Sequence, residues 1–268
     1  IKKPVCSADK VLIKVEATSI NHLDLWIRRG LPKNSIKLPF ILGSDGSGIV
    51  VEVGKNIHNW NVGDAIVIQP GIFCQKCNYC LSGMENYCIE YGLLGETHIG
   101  VQSEYVLLSP YNIYKKPSKL SFQEAASVPL VFMTAYQMLI KRAQLEAHEI
   151  ILIYGATSGV GSAAIQIAKN IGATIIATVG SGIKMDYAYK MGADLVFNHN
   201  DVNWVNDLKN KMGKSSMNVI FEHIGISTWK NSIRLLARGG RIVTCGATTG
   251  SEVSIDLKHL FIKPNKCS

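Results

Sequence analysis

Cys74, Cys77, Cys80 and Cys88 lie within one 15-residue window, in the segment FCQKCNYCLSGMENYC. The spacing C-x2-C-x2-C-x7-C lets four thiolates converge on one tetrahedral ion without a ligand from elsewhere in the chain. Zinc favours four soft sulfur ligands, and a closed all-thiolate shell leaves no open position for a substrate. The expected role is therefore a structural staple for a loop too small to hold a core. A disulfide knot and a set of free buried thiols are the competing readings. The polar neighbours Gln75, Lys76, Asn78 and Glu85 speak against the second. An iron–sulfur cluster also takes four cysteines, but this spacing does not match the ferredoxin runs.

The second stretch with chemistry in it is Gly155-Ala156-Thr157-Ser158-Gly159-Val160-Gly161. It follows the apolar run EIILIY directly and precedes an amphipathic segment, so it reads as the turn between a strand and a helix. Backbone N–H groups at a helix start attract anions, and small residues let a pyrophosphate approach the backbone. Against a strict G-x-G-x-x-G ending at Gly161, the first two glycine positions hold Ala156 and Ser158, both still small. The alternative is a glycine-rich turn that only packs helix on strand. In NAD-binding folds a carboxylate about twenty residues on would bind the ribose 2′-hydroxyl. Here Ala177-Thr178-Val179-Gly180-Ser181-Gly182 supplies none, and Lys184 follows. Ser181 and Lys184 suit a 2′-phosphate through charge-assisted hydrogen bonds. NADP(H) is thus expected over NAD(H), with a solvated helix lysine as the bland reading of Lys184.

These residues need elements to hold them. The first hundred or so residues read as short strands punctuated by glycine: KVLIKVEA from Lys10, GIVVEV from Gly48, AIVIQ from Ala65 and SEYVLL from Ser103. That pattern predicts a small β-rich, barrel-like unit. Near Ser121 the style changes. Ser121 and Glu124 make a capping-box pattern for the helix SFQEAASV. A second helix then runs through LVFMTAYQMLIKRA. From Glu149, apolar β-branched runs alternate with amphipathic segments, which predicts a parallel sheet covered on both faces. The expected fold class is α/β, a doubly wound parallel sheet plus a β-rich barrel. The expected domains are 1–120, with a zinc lobe at about 72–92, and 121–263, leaving 264–268 as a divergent tail.

Composition narrows the classes further. A chain of 268 residues has room for two domains and a substantial core. No apolar run reaches the length needed to span a bilayer. The opening residues carry charges and a proline where a signal peptide would have an apolar stretch. The scattered Cys6, Cys245 and Cys267 suit a reducing cytoplasm. The net charge of +8 is spread along the chain without a basic block. A phosphate-rich small cofactor accounts for it as well as nucleic acid would, so neither nucleic acid nor a membrane is expected as a partner.

Taken together, these residues resemble the medium-chain dehydrogenase/reductase superfamily, zinc-binding alcohol dehydrogenase-like proteins of the quinone oxidoreductase branch above all. LGSDGSGIVVEVG resembles its glycine-rich segment, and the cysteine stretch its structural-zinc lobe. PLVFMTAYQML, GATSGVGSAAIQIAK and ARGGRIVTCGATTG resemble its domain-joining helix, nucleotide turn and late Rossmann strand. The resemblance implies a GroES-like barrel domain beside a Rossmann domain, a small-molecule substrate and a homo-oligomer for the full-length form. It also implies that Thr134, Ile224, Gly225 and Gly246 lie near the nicotinamide half of the cofactor, and His199 near the adenosine phosphate. The catalytic-zinc positions of family alcohol dehydrogenases correspond here to Asn21, Ser44-Asp45 and Leu130, which offer neither thiolate nor imidazole. The expectation is one structural zinc and no catalytic zinc, with Asn21, His22 and Asp24 as candidates to line the pocket and relay a proton. Without a Lewis acid, hydride addition to an enone or quinone is easier to support than alcohol oxidation. A zinc-type alcohol or aldehyde dehydrogenase and a non-catalytic NADP-binding sensor or scaffold are the alternatives. Family members begin before the position of Ile1 and continue past Lys263, so the resemblance further implies a fragment or frameshifted product.

Overall fold

The structure is a computed structural model and describes residues 2–30, 36–261 and 266–267. The chain divides into two compact units, Ile1–Leu130 and Val131–Ser268.

In the first unit, strands β1 (Val11–Thr18), β2 (Gly46–Val53), β3 (Ala65–Ile68), β6 (Tyr105–Leu108) and β7 (Ile113–Lys115) form an antiparallel sheet in the order β6-β1-β2-β3-β7. Helix α1 (His22–Arg29) follows β1. The short pair β4 (Gly71–Ile72) and β5 (Gly92–Leu93) closes a hairpin around helix α2 (Asn78–Leu81) and the four cysteines. Alternation does the sorting: β3 and β6 each bury every second residue, and Ile66, Ile68, Val106 and Leu108 meet Val11, Ile13 and Val50 in one core. Helix α3 (Phe122–Ala126) opens with the expected capping box, Ser121 Oγ accepting from Glu124 N at 3.2 Å and Glu124 Oε2 from Ser121 N at 2.8 Å. It packs on β1, β2 and β3, where the Ser47 hydroxyl donates to Phe122 O at 2.7 Å. The units therefore divide between Leu130 and Val131, later than the sequence-based boundary at 120. The buried, small Ala125 and Ala126 dock this helix on the sheet, so it belongs with the β-rich unit.

The second unit begins within helix α4 (Pro129–Tyr136), which continues as a π-helical turn over Gln137–Arg142. Strands β8 (Ile150–Ile153), β9 (Thr174–Val179), β10 (Leu195–Asn198), β11 (Met217–Glu222), β12 (Leu236–Thr244) and β13 (Lys266–Cys267) form a fully parallel sheet in the order β10-β9-β8-β11-β12-β13. Between them run α5 (Gly159–Ile171), α6 (Gly182–Met191), α7 (Trp204–Met212), α8 (Ile226–Leu235) and α9 (Lys258–Phe261). Successive strand residues point to opposite faces, and both faces are apolar. Ile151, Ile153, Ile175 and Ala177 pack with Ala164, Ile165 and Ala168 of α5. Leu152, Tyr154 and Ile176 pack with Trp204 and Leu208 of α7 and Ile233 and Leu235 of α8. This is the doubly wound sheet expected. Of the supposed divergent tail, Lys266 and Cys267 pair in parallel with Arg241 and Ile242, and 264, 265 and 268 lie outside the described residues. Among the described residues, no helix is long and apolar enough to cross a membrane.

Candidate metal centre and dinucleotide crevice

The four cysteine sulfurs converge: all lie within 4.8 Å of one another. Cys77 Sγ is 3.5 Å from Cys80 Sγ, and Cys74 Sγ is 3.9 Å from it. A tetrahedral ion with Zn–S bonds of about 2.3 Å sets its sulfurs about 3.8 Å apart, so the cluster fits zinc. Backbone N–H groups, that of Lys76 foremost and that of Cys77 as well, hold the Cys74 thiol down at about 6. Loss of hydration and the neighbouring Cys77 thiol push Cys80 up to about 12. One thiolate forms easily while the next is resisted, and a divalent cation would relieve that conflict. Among the described residues, this is the one group of three or more His, Cys, Asp or Glu side chains arranged to hold a metal.

Asp45, with Ser19, Asn21 and Leu130, forms a hydrogen-bond hub. Asp45 is 1% exposed. Its Oδ2 accepts from Asn21 Nδ2 at 2.9 Å and from the Ser19 hydroxyl at 3.3 Å, and its Oδ1 accepts from Leu130 N at 2.9 Å. Burial raises the Asp45 carboxyl above its ordinary range despite these donors, with Asp24 adding in the same direction. Ser44, also buried, donates to Leu94 O at 2.8 Å. Asp45 is thus satisfied by Ser19, Asn21 and Leu130, and Ser44 by Leu94; Asn21, Ser44 and Leu130 offer zinc neither thiolate nor imidazole, so a zinc ion does not fit the donor set.

Asn21, His22 and Asp24 do not form a relay. Asp24 is a buried cap: its Oδ2 accepts from Asn21 N at 2.7 Å and its Oδ1 from Gly43 N at 3.0 Å. Both oxygens are spent on backbone N–H groups, which fixes the start of α1. His22 lies exposed on α1, edge-on to Trp26 at 4.9 Å between ring centroids. The Asn21 carboxamide is held by Asp45, its Nδ2 donating to Asp45 Oδ2.

In the second unit, the strand order reverses between β8 and β11, and ligands of open α/β sheets bind outside the strand ends at such a reversal. Gly155 follows β8 with φ +56°, and Ala156 N donates to Thr178 O of β9 at 2.9 Å. Ser158 caps α5, its hydroxyl accepting from Gly161 N at 3.0 Å. A Cβ on Gly161 would stand 2.4 Å from Gly155 O, so the last glycine of the turn is required for helix and turn to meet. Thr157, Gly159 and Val160 complete the turn and the first residues of the helix. The half-buried Thr134 lies on α4.

Past β9, Gly180 and Ser181 lead into α6, and Lys184 N donates to Ser181 O at 3.2 Å. The Ser181 hydroxyl makes no capping bond to α6. His199, after β10, contacts Thr178 Oγ1 through Nδ1 at 3.3 Å. Burial and then the Lys184 charge lower the His199 pKa. The structure thus brings Ser181, Lys184 and His199 to the ends of the adjacent strands β9 and β10. On the other side of the reversal, Ile224 and Gly225 follow β11 and Gly246 follows β12. The sequence reading passed over His223 and Glu222. His223 Nε2 bonds to Tyr154 O at 2.9 Å, and its ring stands beside Gly155. Burial lowers the His223 pKa. Their signal was a polar pair, Glu-His, closing an apolar strand in FEH.

Comparison with known proteins agrees with this architecture. Residues 7–118 match the alcohol dehydrogenase GroES-like domain, and residues 159–266 match the zinc-binding dehydrogenase domain. The quinone oxidoreductase of Homo sapiens is 30% identical over 254 residues, 95% of this chain and 69% of that protein. A crystal structure titled as an NAD-dependent alcohol dehydrogenase is 38% identical with a TM-score of 0.95, covering 100% of this chain and 78% of the other. A structure of a 2-octenoyl-CoA carboxylase reductase in complex with NADP and 2-octenoyl-CoA is 30% identical with a TM-score of 0.84, covering 100% and 68%. The chain belongs to the medium-chain dehydrogenase/reductase superfamily and is an oxidoreductase of that type.

Proposed function

We propose that this chain is an NADP(H)-dependent reductase that delivers hydride to an activated C=C bond or a quinone, with one structural zinc and no catalytic metal. The observation that carries the reading is the Asp45 hub. The family resemblance sets Asn21, Ser44, Asp45 and Leu130 at the catalytic-zinc positions; here Asn21 and Leu130 bond to Asp45, and Ser44 bonds to Leu94 O. Cys74, Cys77, Cys80 and Cys88 would hold the structural zinc.

The bound reduced dinucleotide supplies the hydride. The protein's part is to bind, orient and stabilise charge. Gly155–Gly161 would receive the pyrophosphate at the start of α5, where backbone N–H groups favour an anion. Ser181 and Lys184 would take the 2′-phosphate, with His199 beside them. Asn21 has one Nδ2–H committed to Asp45, which sets the plane of its carboxamide and leaves the second N–H to donate to a substrate oxygen. A fixed neutral donor aimed at an oxygen on which charge develops suits an enone or a quinone. The acceptor would be a small molecule.

Steady-state assays with a panel of enones, quinones and primary alcohols test the reading. Enones or quinones should be reduced with NADPH, and chelators should not slow the reaction. Chelator-sensitive oxidation of a primary alcohol, with enones and quinones untouched, would overturn it. That result would favour the zinc-type alcohol dehydrogenase reading, which the 38%-identical structure titled as an NAD-dependent alcohol dehydrogenase supports.

A further inference from the structure

Glu222 closes β11 at the strand-order reversal, and it is fully buried. A buried carboxylate costs several kcal/mol unless its oxygens are satisfied. Here they are saturated. Oε1 accepts from Ile224 N at 2.8 Å and Gly225 N at 3.2 Å. Oε2 accepts from the Ser232 hydroxyl at 2.9 Å, and the Thr228 hydroxyl stands 2.9 Å from Oε2 and 3.0 Å from Oε1, both donors being on α8. Ser232 also contacts the buried Tyr154 hydroxyl at 3.2 Å, and the Tyr154 carbonyl holds His223.

The loop His223–Gly225 is gripped from its other side too. Its carbonyls accept from the hydroxyls of Thr248, on His223 O at 2.8 Å, and Thr249, on Ile224 O at 2.8 Å. Gly225 has φ +99°, and a Cβ there would meet Gly250 O at 2.3 Å, so the loop has no slack. Its N–H groups turn inward to one carboxylate and its carbonyls turn to the 248–249 turn. The ribose-reading residues sit past β9, on one side of the reversal. A dinucleotide laid across that crevice must place its other half past β11 and β12, against this loop.

We propose that Glu222 is a positioning residue for the cofactor: it sets the His223–Gly225 loop that receives the nicotinamide half of the dinucleotide. The proposal rests on the dinucleotide reading above. Its oxygens divide the work in a way that predicts which substitutions succeed. In Glu222→Gln, the amide oxygen keeps the two backbone N–H groups, and the amide nitrogen meets hydroxyls that can rotate to accept. In Glu222→Ala, the two N–H groups lose their acceptor and the loop is released.

The test is fluorescence titration of the full chain with NADPH and NADH, and calorimetric titration with the adenosine fragments 2′,5′-ADP and ADP. Glu222→Ala should weaken the dinucleotide that wild type prefers by about tenfold or more, the scale of one lost hydrogen bond to a charged group. Binding of the matching adenosine fragment should stay within about twofold, and Glu222→Gln should restore dinucleotide binding to within about threefold. A purely structural role would weaken fragment and dinucleotide alike, and that result overturns the proposal, as does Glu222→Ala binding the dinucleotide like wild type. Should Glu222→Ala not fold, the double variant Thr228→Val/Ser232→Ala frees the other oxygen and should show the same selective loss, or the proposal fails. A wild-type chain that binds neither dinucleotide sinks the functional reading and this proposal together. Normal wild-type binding with an indifferent Glu222→Ala sinks this proposal alone.

Discussion

Asp45 gathers donors from Ser19, Asn21 and Leu130. In a zinc site a carboxylate there would face a cation; here it faces three donors and is sealed by Leu130 N–H. On the proposed reading Asn21 donates to the substrate oxygen, so Asn21→Ala should lower turnover about 100- to 1,000-fold, the range for loss of an oxyanion donor. NADPH affinity, measured by titration, should hold. The adenosine end carries its own test. Lys184→Ala should weaken NADPH by about 1.5–3 kcal/mol, the scale of a hydrogen bond to a charged group, and leave NADH unchanged. His199 adds a pH dependence whose sign follows from its setting. Burial and the Lys184 charge depress its pKa, so the ring is neutral near pH 7 in the free protein. A 2′-phosphate beside it favours the charged form, so its pKa rises on binding and a proton is taken up. NADPH should therefore bind more tightly as pH falls from about 7.5 towards the unperturbed value of about 6.5, while NADH binding stays flat. His199→Gln should remove the slope; an unchanged slope would mean the ring does not face the phosphate.

At the scale of elements, the cysteine lobe makes the sharpest prediction. Cys80→Ser removes one of four ligands, so elemental analysis should fall from one zinc per chain to near zero. Limited proteolysis should then cut faster between β4 and β5, while NADPH titration is unaffected because the nucleotide residues lie in the other unit. Two tightly bound zinc ions in wild type would contradict the hub. The lobe, the capped α3 and the turn before α5 were all legible in the sequence, because each is a local pattern: ligand spacing, a capping box, small residues between strand and helix. Asp24 was misjudged for the same reason in reverse. Its closeness to Asn21 in the chain suggested a shared chemistry, whereas its second partner is Gly43 N, visible only once β1 and β2 are paired. Glu222 and Asp45 were missed as hubs because their partners come from separate segments. The unit boundary moved because helix α3 looks like the helices that follow it until its docking on the sheet is seen.

On the scale of the whole molecule, the ion pair Glu149–Arg241 ties the start of β8 to β12, which lies two strands away across β11. Arg241 reaches Glu149 Oε1 at 2.5 Å and Oε2 at 2.6 Å, and also bonds the carbonyls of Ala143 and Gln144, where the π-helical turn ends. The pair is little exposed, at 17% and 10%. Burial alone would raise Glu149, but the Arg241 hydrogen bonds and charge and the Glu146 N–H hold it below its ordinary value. A depressed carboxylate stabilises the fold above its unfolded pKa of about 4.3 and loses that effect as pH falls through the folded value. Glu149→Gln should therefore lower Tm near pH 7, and the gap to wild type should close below about pH 4. A gap that persists there would mean that geometry, not charge, makes the contribution. The Leu130–Asp45 hydrogen bond has a different consequence, one of timing. It joins residues 85 positions apart, and β1 waits for β6, Val11 pairing with Leu108. Contacts this distant in the chain form slowly. On a ribosome, Asp45 must wait for the synthesis of the entire first unit before its last donor exists.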